Sequence, residues 1–481
     1  MRTYVIKRLL LMIPTFFAIS LIVFLILNLA PGRPGGMAMG AEQAESADTS
    51  GSKREAYRIF KQQFNLNKPV IFNTRFALAT KEIQRYLAAI VYKNVSSREL
   101  IKAQDNLEDY GVYAVPHLVS IMNDSSDPKL RDMAVIILTQ NVPRQVISRY
   151  AESLSDVEKK LNREIDQERI MLKQWIYRFD DPEEKKREII GKWKTWYEQN
   201  NDRYNYSFGE KLKIFFIDTR FAKYWSNLIN FDFGVSHIDK QPVLKKILSK
   251  LKYSLSLSVT SLLLAYLISV PLGVFSAVKQ NTVYDRIISV ILFMLYSLPS
   301  FFVASLLLTT ISEGSDFGWK LFPTGGFQSR TYMSMTTIDQ AKDIIWHLIL
   351  PVICLTYGSL ASLSRYARSG LLEVIRSDYI RTARAKGLSE FQVILKHAVR
   401  NGMIPILTLL GTILPVVLGG SVIIEVIFGI DGMGLLAYKA ILYRDYNVIM
   451  GVQLISAFLV LIGILISDFS YALVDPRITF K

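Results

Sequence analysis

The sequence has little of what most enzyme chemistry needs. Its 481 residues include one cysteine, Cys354, and four scattered histidines. One cysteine cannot form an intrachain disulfide, and scattered histidines do not predict a metal site. The chain also lacks a G-x-x-x-x-G-K-[ST] phosphate loop, an H-E-x-x-H helix and a G-x-S-x-G elbow. These absences argue against ATP binding of that kind, zinc proteolysis and serine hydrolysis. We therefore expect this chain to be no enzyme and to hold no metal and no cofactor.

Charge is nearly absent from six long apolar runs, although the chain as a whole carries a formal charge of +15. About 20 apolar residues of helix cross a bilayer, so these runs predict a membrane protein with six spans, surrounded by lipid. Without them, the positive charge would suggest nucleic acid, which we do not expect as a partner. The first run is too long for the apolar region of a signal peptide, so it is expected to be retained. The runs are Leu9–Ala30, Tyr253–Val278, Ile287–Ile311, Ile344–Leu363, Met403–Phe428 and Val448–Ile466.

The positive residues cluster on one side of the predicted membrane. Counting crossings places both termini and the basic stretch Ser377–Pro405 on the same side. Short positively charged loops stay in the cytoplasm, so we expect this side to be cytoplasmic. The segment from Pro31 to Lys252 is then extracytoplasmic, because long segments translocate largely regardless of their charge.

The long outer segment is too long to be a simple loop, and its pattern is helical. Gly111–Gln140 has apolar residues at helical spacing on both sides of a break, with Asp127 placed to cap the second helix and Pro128 at its first position. Ser153–Phe179 and Glu184–Asn200 predict two further amphipathic helices. The pattern favours HEAT-like helical repeats and a plain helical bundle equally.

The basic stretch between the fourth and fifth runs reads "SDYIRTARAKGLSEFQVILKHAVRNGMIP". It predicts a helix, a sharp turn at Gly387 and a second helix. Ala383 and Ala385 are expected to leave a flat outward surface, while Leu388 and Phe391 recur at helical spacing. Such an element suits docking into a groove on a cytosolic partner. Composition alone equally allows a basic loop held near anionic lipid.

One motif within this stretch, "RTARAKG" (Arg381–Gly387), resembles the EAA…G coupling motif of ABC importer permeases of the oligopeptide/dipeptide/nickel group. The motif's glutamate is replaced by Arg381, and its final Ile-x-Leu-Pro by "HAVR" (His397–Arg400). The aspartate common after the early "PG" is Arg33 here. Further similarity covers residues 1–34 and about 230–481. It lies in "MRTYVIKRLLLMIPTFFAISLIVFLILNLAPGRP", "SLPSFFVASLLL", "FPTGG", "GMGLLAYKAILYRDYNVIMG" and "DPRI".

The resemblance implies an all-α, six-span permease similar to type I ABC importers, the first of two permease subunits in a bacterial cytoplasmic membrane. It implies a second permease, an external solute-binding protein and two cytosolic ATPases that bind ATP and magnesium. It also implies import of peptides or, as the second choice, nickel complexes. Two alternatives from other classes are a membrane-tethered scaffold and a secondary transporter. The expected domains are 1–34 (cytoplasmic tip and first span), 35–230 (helical insert between spans one and two) and 231–481 (permease core).

Two groups of site residues follow. Prolines in membrane helices free backbone groups, so some are candidates for gating bends: Pro299, Pro351 and Pro415. The residues expected to couple to an ATPase are Tyr379, Arg381, Thr382, Ala383, Arg384, Ala385, Lys386, Gly387, Leu388 and Phe391.

Overall fold

The computed structural model describes residues 2–29, 58, 61, 65–144, 155–315, 318–403, 406 and 421–474. Over these residues the chain is helical, and its only β pairings are two isolated bridges. It separates into two compact units, Met1–Met39 with Asp232–Lys481, and Gly40–Phe231. The helices of the inserted unit lie between α1 and α10, and all the others belong to the membrane unit.

In chain order the helices are α1 (Arg2–Leu29), α2 (Thr80–Tyr92), α3 (Ser97–Tyr110), α4 (Val115–Asp124), α5 (Pro128–Asn141), α6 (Asp156–Lys173), α7 (Glu183–Asn200), α8 (Phe208–Ile217), α9 (Arg220–Ile229), α10 (Val243–Val278), α11 (Val283–Ser297), α12 (Ser300–Ile311), α13 (Thr337–Ile375), α14 (Asp378–Ala385), α15 (Glu390–Gln392), a π-helix (Val393–Val399), α16 (Arg400–Gly402), α17 (Val422–Ile427), α18 (Met433–Leu442) and α19 (Tyr446–Val474).

Local signals set the helix boundaries of the inserted unit. Asp127 caps α5 by accepting a hydrogen bond from the Lys129 amide, and Pro128 stands at the first helical position. Both predictions are confirmed. The first turn of a helix leaves backbone N–H donors unpaired; Asp127 accepts a hydrogen bond from one of them, and Pro128 has no N–H to pair. Helix α6 is shorter than the expected Ser153–Phe179. It begins after Ser155, which forms a capping box with Glu158, and it ends at Lys173.

Tryptophan and aliphatic side chains form the core of the inserted unit. Trp193 of α7 is fully buried, and its indole donates a hydrogen bond to the Trp175 carbonyl at 3.0 Å. Trp196 packs against it edge-on, with ring centroids 5.9 Å apart. Around them lie the buried faces of the pairs α2–α3 and α4–α5. These helices therefore bury apolar faces against one another, whereas α8 has no buried residue. The HEAT-like character of the unit stays a prediction.

A polar cluster joins the first and last parts of the inserted unit. Asp218, which follows α8, is ion-paired with Lys68 and accepts a hydrogen bond from Tyr113 at 2.7 Å. Fully buried Asn73 donates to the Asp218 carbonyl at 3.0 Å. Burial alone would raise the pKa of Asp218, but Lys68 and Tyr113 outweigh it and hold that pKa below its usual value. The segment around residue 70 thus belongs to the same body as α8 and α9.

In the membrane unit, the described residues contain four helices long and apolar enough to cross a bilayer: Ile6–Leu29, Val243–Val278, Thr337–Ile375 and Tyr446–Ile466. The third predicted run is a broken pair, α11 and α12, which meet at 94°. The fifth predicted run, Met403–Phe428, lies largely outside the described residues. Helices α10 and α13 extend well beyond their apolar runs. The backbone hydrogen bonds that form a helix do not require apolar side chains, so a helix can continue past the part that lipid surrounds.

Candidate coupling site

A glycine turn forms the centre of the predicted coupling element. Helix α14 ends at Ala385, and Gly387 has a φ of +76°, in the left-handed region that favours glycine. Its amide donates to the Arg384 carbonyl at 3.0 Å. The predicted sharp turn at Gly387 is confirmed. No atom outside its chain neighbours lies within 4 Å of where a Cβ would stand, so the backbone alone requires glycine here.

An ion pair closes the turn. The Arg384 guanidinium donates to both carboxylate oxygens of Glu390, at 3.0 and 2.6 Å. This fork geometry is the stronger kind of charged hydrogen bond, and it holds the pKa of Glu390 below its usual value. The two arms on either side of Gly387 are therefore joined by side chains as well as by the backbone.

The second arm is helical as predicted, but most of it is a π-helix rather than an α-helix. Val393 and Ala398 are both fully buried although they are five residues apart. In an α-helix that spacing places two side chains on different sides. The i→i+5 bonding of a π-helix brings them to the same side. The wider helix thus lets both residues face the core.

The inner side of the element packs against the ends of two long helices. Ile380 and Ala383 of α14 join Val393 and Ala398 in one buried cluster. Opposite them lie Ala277, near the end of α10, and Leu371 of α13. Ala383 is only 8% exposed, so the expectation that it forms part of a flat outward surface is wrong. Its helical position points it inward, while Ala385 remains exposed.

The outer side of the element is cationic and aromatic. Phe391 is 72% exposed, and Tyr379 and Leu388 are also exposed. Large apolar side chains in the open, rimmed by charge, mark interaction surfaces. The other predicted coupling residues on this exposed side are Arg381, Thr382, Arg384, Ala385, Lys386 and Gly387.

Both ends of the element are fixed to α13. Helix α14 begins three residues after α13 ends, with only Arg376 and Ser377 between them. At the far end Gly402 lies so close to Leu371 that a Cβ there would be 3.0 Å from the Leu371 Cα. Asn401 also donates a hydrogen bond to the Tyr379 hydroxyl at 2.8 Å, which joins the two arms. Both ends of the element are therefore held against α13.

The predicted gating prolines have different surroundings. Pro299 stands at the junction of α11 and α12, where the chain bends by 94°. The Tyr357 hydroxyl donates to the preceding carbonyl, Leu298, at 2.8 Å. Pro351 is buried within α13. Pro415 lies outside the described residues, and a gating role for all three stays a prediction.

Two carboxylates in the membrane unit have partners that the sequence did not reveal. Glu425 of α17 is fully buried and accepts hydrogen bonds from Ser254 Oγ at 2.7 Å and the Leu435 amide at 3.0 Å. A Cβ at Gly434 would lie 2.8 Å from backbone atoms of Val422 and 2.9 Å from Glu425 Oε2, which accounts for a glycine there. Asp285, paired with Arg368, was not anticipated. The only signal of this ion pair in the sequence was a carboxylate in "KQNTVYDR" and an arginine beyond the fourth run.

Comparisons with known proteins identify a family and several relatives of this chain. The family model described as "Binding-protein-dependent transport system inner membrane component" matches residues 269–480. The oligopeptide transport system permease protein AppB of Bacillus subtilis is 40% identical over 262 residues, 54% of this chain and 80% of that protein. The inner membrane ABC transporter permease protein YejB of Escherichia coli is 37% identical, over 55% of this chain and 72% of that protein.

A further relative is the dipeptide transport system permease protein DppB of Bacillus subtilis. It is 35% identical, over 53% of this chain and 77% of that protein. A solved inward-facing structure of the MetNI methionine ABC transporter is similar with 16% identity and a TM-score of 0.36, over 48% of this chain and 97% of that chain.

Proposed function

This chain belongs to the family of binding-protein-dependent transport system inner membrane components, the permeases of ABC transporters, and from that membership we propose that it imports peptides. It works as the first of two permease subunits and forms half of the translocation pathway. Relatives named for oligopeptide and dipeptide transport support the substrate class. Family membership disfavours the scaffold and secondary-transporter alternatives.

The coupling element carries the proposal. Its cationic and aromatic outer side, with Phe391 and Leu388 exposed, is the surface on which a cytosolic ATPase docks. Its inner side seats Ile380 and Val393 against α10 and α13. Closure of the ATPases on ATP displaces the element, and the rigid packing passes this displacement into the spans. The permease itself needs no catalytic group, since ATP and magnesium are bound by the ATPase subunits.

The orientation follows from the same proposal. The coupling element and both termini lie in the cytoplasm of a bacterium, and the inserted unit Gly40–Phe231 lies outside the inner membrane. A solute-binding protein delivers peptide at that outer side. The inserted unit is the part of this chain best placed along the sequence to contact such a protein, because it is joined at both ends to spans.

A site-specific cross-link tests the docking surface. A photoreactive amino acid is introduced at Phe391 of the tagged chain in its native cells, and its matched control replaces Lys160, an exposed residue of α6. We expect cross-linking at position 391 to capture a protein that binds ATP, while position 160 does not. Equal capture at both positions, or none at 391, would contradict docking at the element.

Uptake of a radiolabelled alanine tripeptide tests the substrate class. Cells that lack the chain should lose uptake of this peptide. Cells that contain the chain should lose it when their ATP is depleted. Uptake that continues without ATP but stops with an ionophore would instead support a secondary transporter. Loss of nickel uptake with unchanged peptide uptake would favour the nickel alternative.

A further inference from the structure

An ion pair between a buried carboxylate and a half-buried arginine lies next to the seat of the coupling element. Asp285, in the first turn of α11, is 4% exposed. Arg368 of α13 donates to it through Nε at 3.0 Å and Nη2 at 2.8 Å. Ser276 Oγ of α10 and the Asn281 amide, at 3.0 Å, donate to the same carboxylate. One side chain therefore connects α10, α11 and α13.

Close backbone packing stands beside this pair. Gly273 lies so near α13 that a Cβ there would be 2.6 Å from the Ser364 carbonyl oxygen and would collide with Ala367. Ala367 is the immediate neighbour of Arg368. The absence of a side chain at Gly273 lets α10 and α13 touch, and that contact brings Arg368 within reach of Asp285.

The same helical turns carry the seat of the coupling element. Ala277, which lies in the same buried cluster as Ile380, directly follows Ser276, a hydrogen-bond donor to Asp285. Leu371, which packs against the other arm, lies one turn beyond Arg368. The seat and the ion pair are thus contiguous on both helices. Asp285 ties the first turn of α11, which also packs along α13, to the same body.

We propose that Asp285 and Arg368 form a clamp that makes the coupling element and the adjoining ends of α10, α11 and α13 move as one body. The clamp passes the motion to α11, the first member of the pair bent by 94° at Pro299. A buried ion pair is weak evidence for stability but is suited to fixing one geometry. This inference rests on the proposed docking of an ATPase at the element.

Distances measured by electron spin resonance test the rigid body without any transported substrate. Cysteines that carry spin labels replace exposed Lys386 and Met294 in a chain with Cys354→Ala, within the full complex. The distance between the two labels reports the position of the coupling element relative to α11. A second pair, Lys386 and Tyr443, reports whether the element moves at all. Each pair is measured without nucleotide and with ATP and vanadate.

In the otherwise native complex we expect the second distance to change while the first stays constant. In Asp285→Asn, which removes the charge at nearly constant volume, the first distance should also change between the two states. A first distance that varies without the substitution, or stays constant with it, overturns the clamp. If the second distance never changes, the proposed coupling itself fails.

Transport measurements separate a positioning role from a structural one. For reconstituted complexes we measure uptake of the alanine tripeptide per ATP hydrolysed. Asp285→Asn should lower this ratio about 2- to 30-fold, the range typical of residues that mediate coupling, while ATP hydrolysis persists. Arg368→Lys, which keeps the charge but loses the fork, should give an intermediate ratio. Arg365→Gln, at an exposed position of the same helix, is the control. A lower amount of complex with an unchanged ratio would mean a purely structural role and would refute the proposal.

Discussion

Gly387 offers the sharpest test of the coupling element, because a substitution there acts only through the backbone conformation that the new residue can adopt. Its φ of +76° costs an alanine about 1–2 kcal/mol, and a β-branched residue more, up to about 3 kcal/mol. No neighbour lies within 4 Å of the Cβ position, so a side chain adds no collision to this cost. A strain of 1–3 kcal/mol corresponds to about a 5- to 150-fold lower population of the turned form.

We expect Gly387→Val to insert in the membrane yet to lose ATPase subunits on purification, and to lose uptake with them. Gly387→Asn is the matched control, because asparagine adds a side chain of similar size but tolerates the left-handed region. The assay compares ATPase recovered per tagged chain, together with tripeptide uptake, for the two variants. Equal losses in Gly387→Asn and Gly387→Val would show that the side chain and not the backbone matters. Unchanged recovery and uptake in Gly387→Val would refute a role of the turn in docking.

Three further predictions concern topology and the inserted unit. Alkaline phosphatase fused at Ser155 should be active and at Ser389 inactive, and the reverse pattern would overturn the topology. Replacing residues 40–231 with a Gly/Ser linker should leave the complex assembled and its basal ATP hydrolysis intact while binding-protein-dependent uptake falls; unaffected uptake would exclude a role in delivery. Trp193→Ala should destabilise the inserted unit by about 3–5 kcal/mol, because it removes a fully buried ring. Thermal unfolding followed by tryptophan fluorescence measures this, with Trp319→Ala, at a position 72% exposed, as the control that should change little.

The structure changes how the second of these experiments is designed. A deletion confined to residues 53–200, which the helical pattern of the sequence suggests, would remove Lys68 and Asn73 but leave Asp218 and α8 behind. The Asp218 carboxylate would then lack the partners that keep its pKa low. Such a variant would test misfolding instead of delivery, so the boundaries of the compact unit are the correct ones.

Much of the membrane unit and part of the candidate site could be predicted from local patterns. The length of an apolar run, a capping aspartate such as Asp127 and a glycine between two helical patterns are properties of adjacent residues. Lipid and backbone hydrogen bonding act on them directly, with little help from the rest of the fold. The helix start at Pro128 and the turn at Gly387 were predicted for this reason.

Side-chain direction in the coupling element was not predictable in the same way. Ala383 and Ala385 read alike in the sequence, but Ala383 faces inward because α10 and α13 present Ala277 and Leu371 to that side of α14. Helix periodicity assigns residues to faces, but only the neighbours decide which face is the core.

The sequence by itself therefore determined the membrane character and the position of a glycine-turned basic element, while the sidedness predicted from its charges stays a prediction. Only the tertiary structure decided which polar groups meet. Asp285 and Arg368 are 83 residues apart, and Ser254 and Glu425 are 171 apart. Their pairing depends on which helices pack side by side, and so on small contacts such as Gly273 against Ala367. A buried charge needs a partner, but the choice of partner belongs to the packing of the whole bundle.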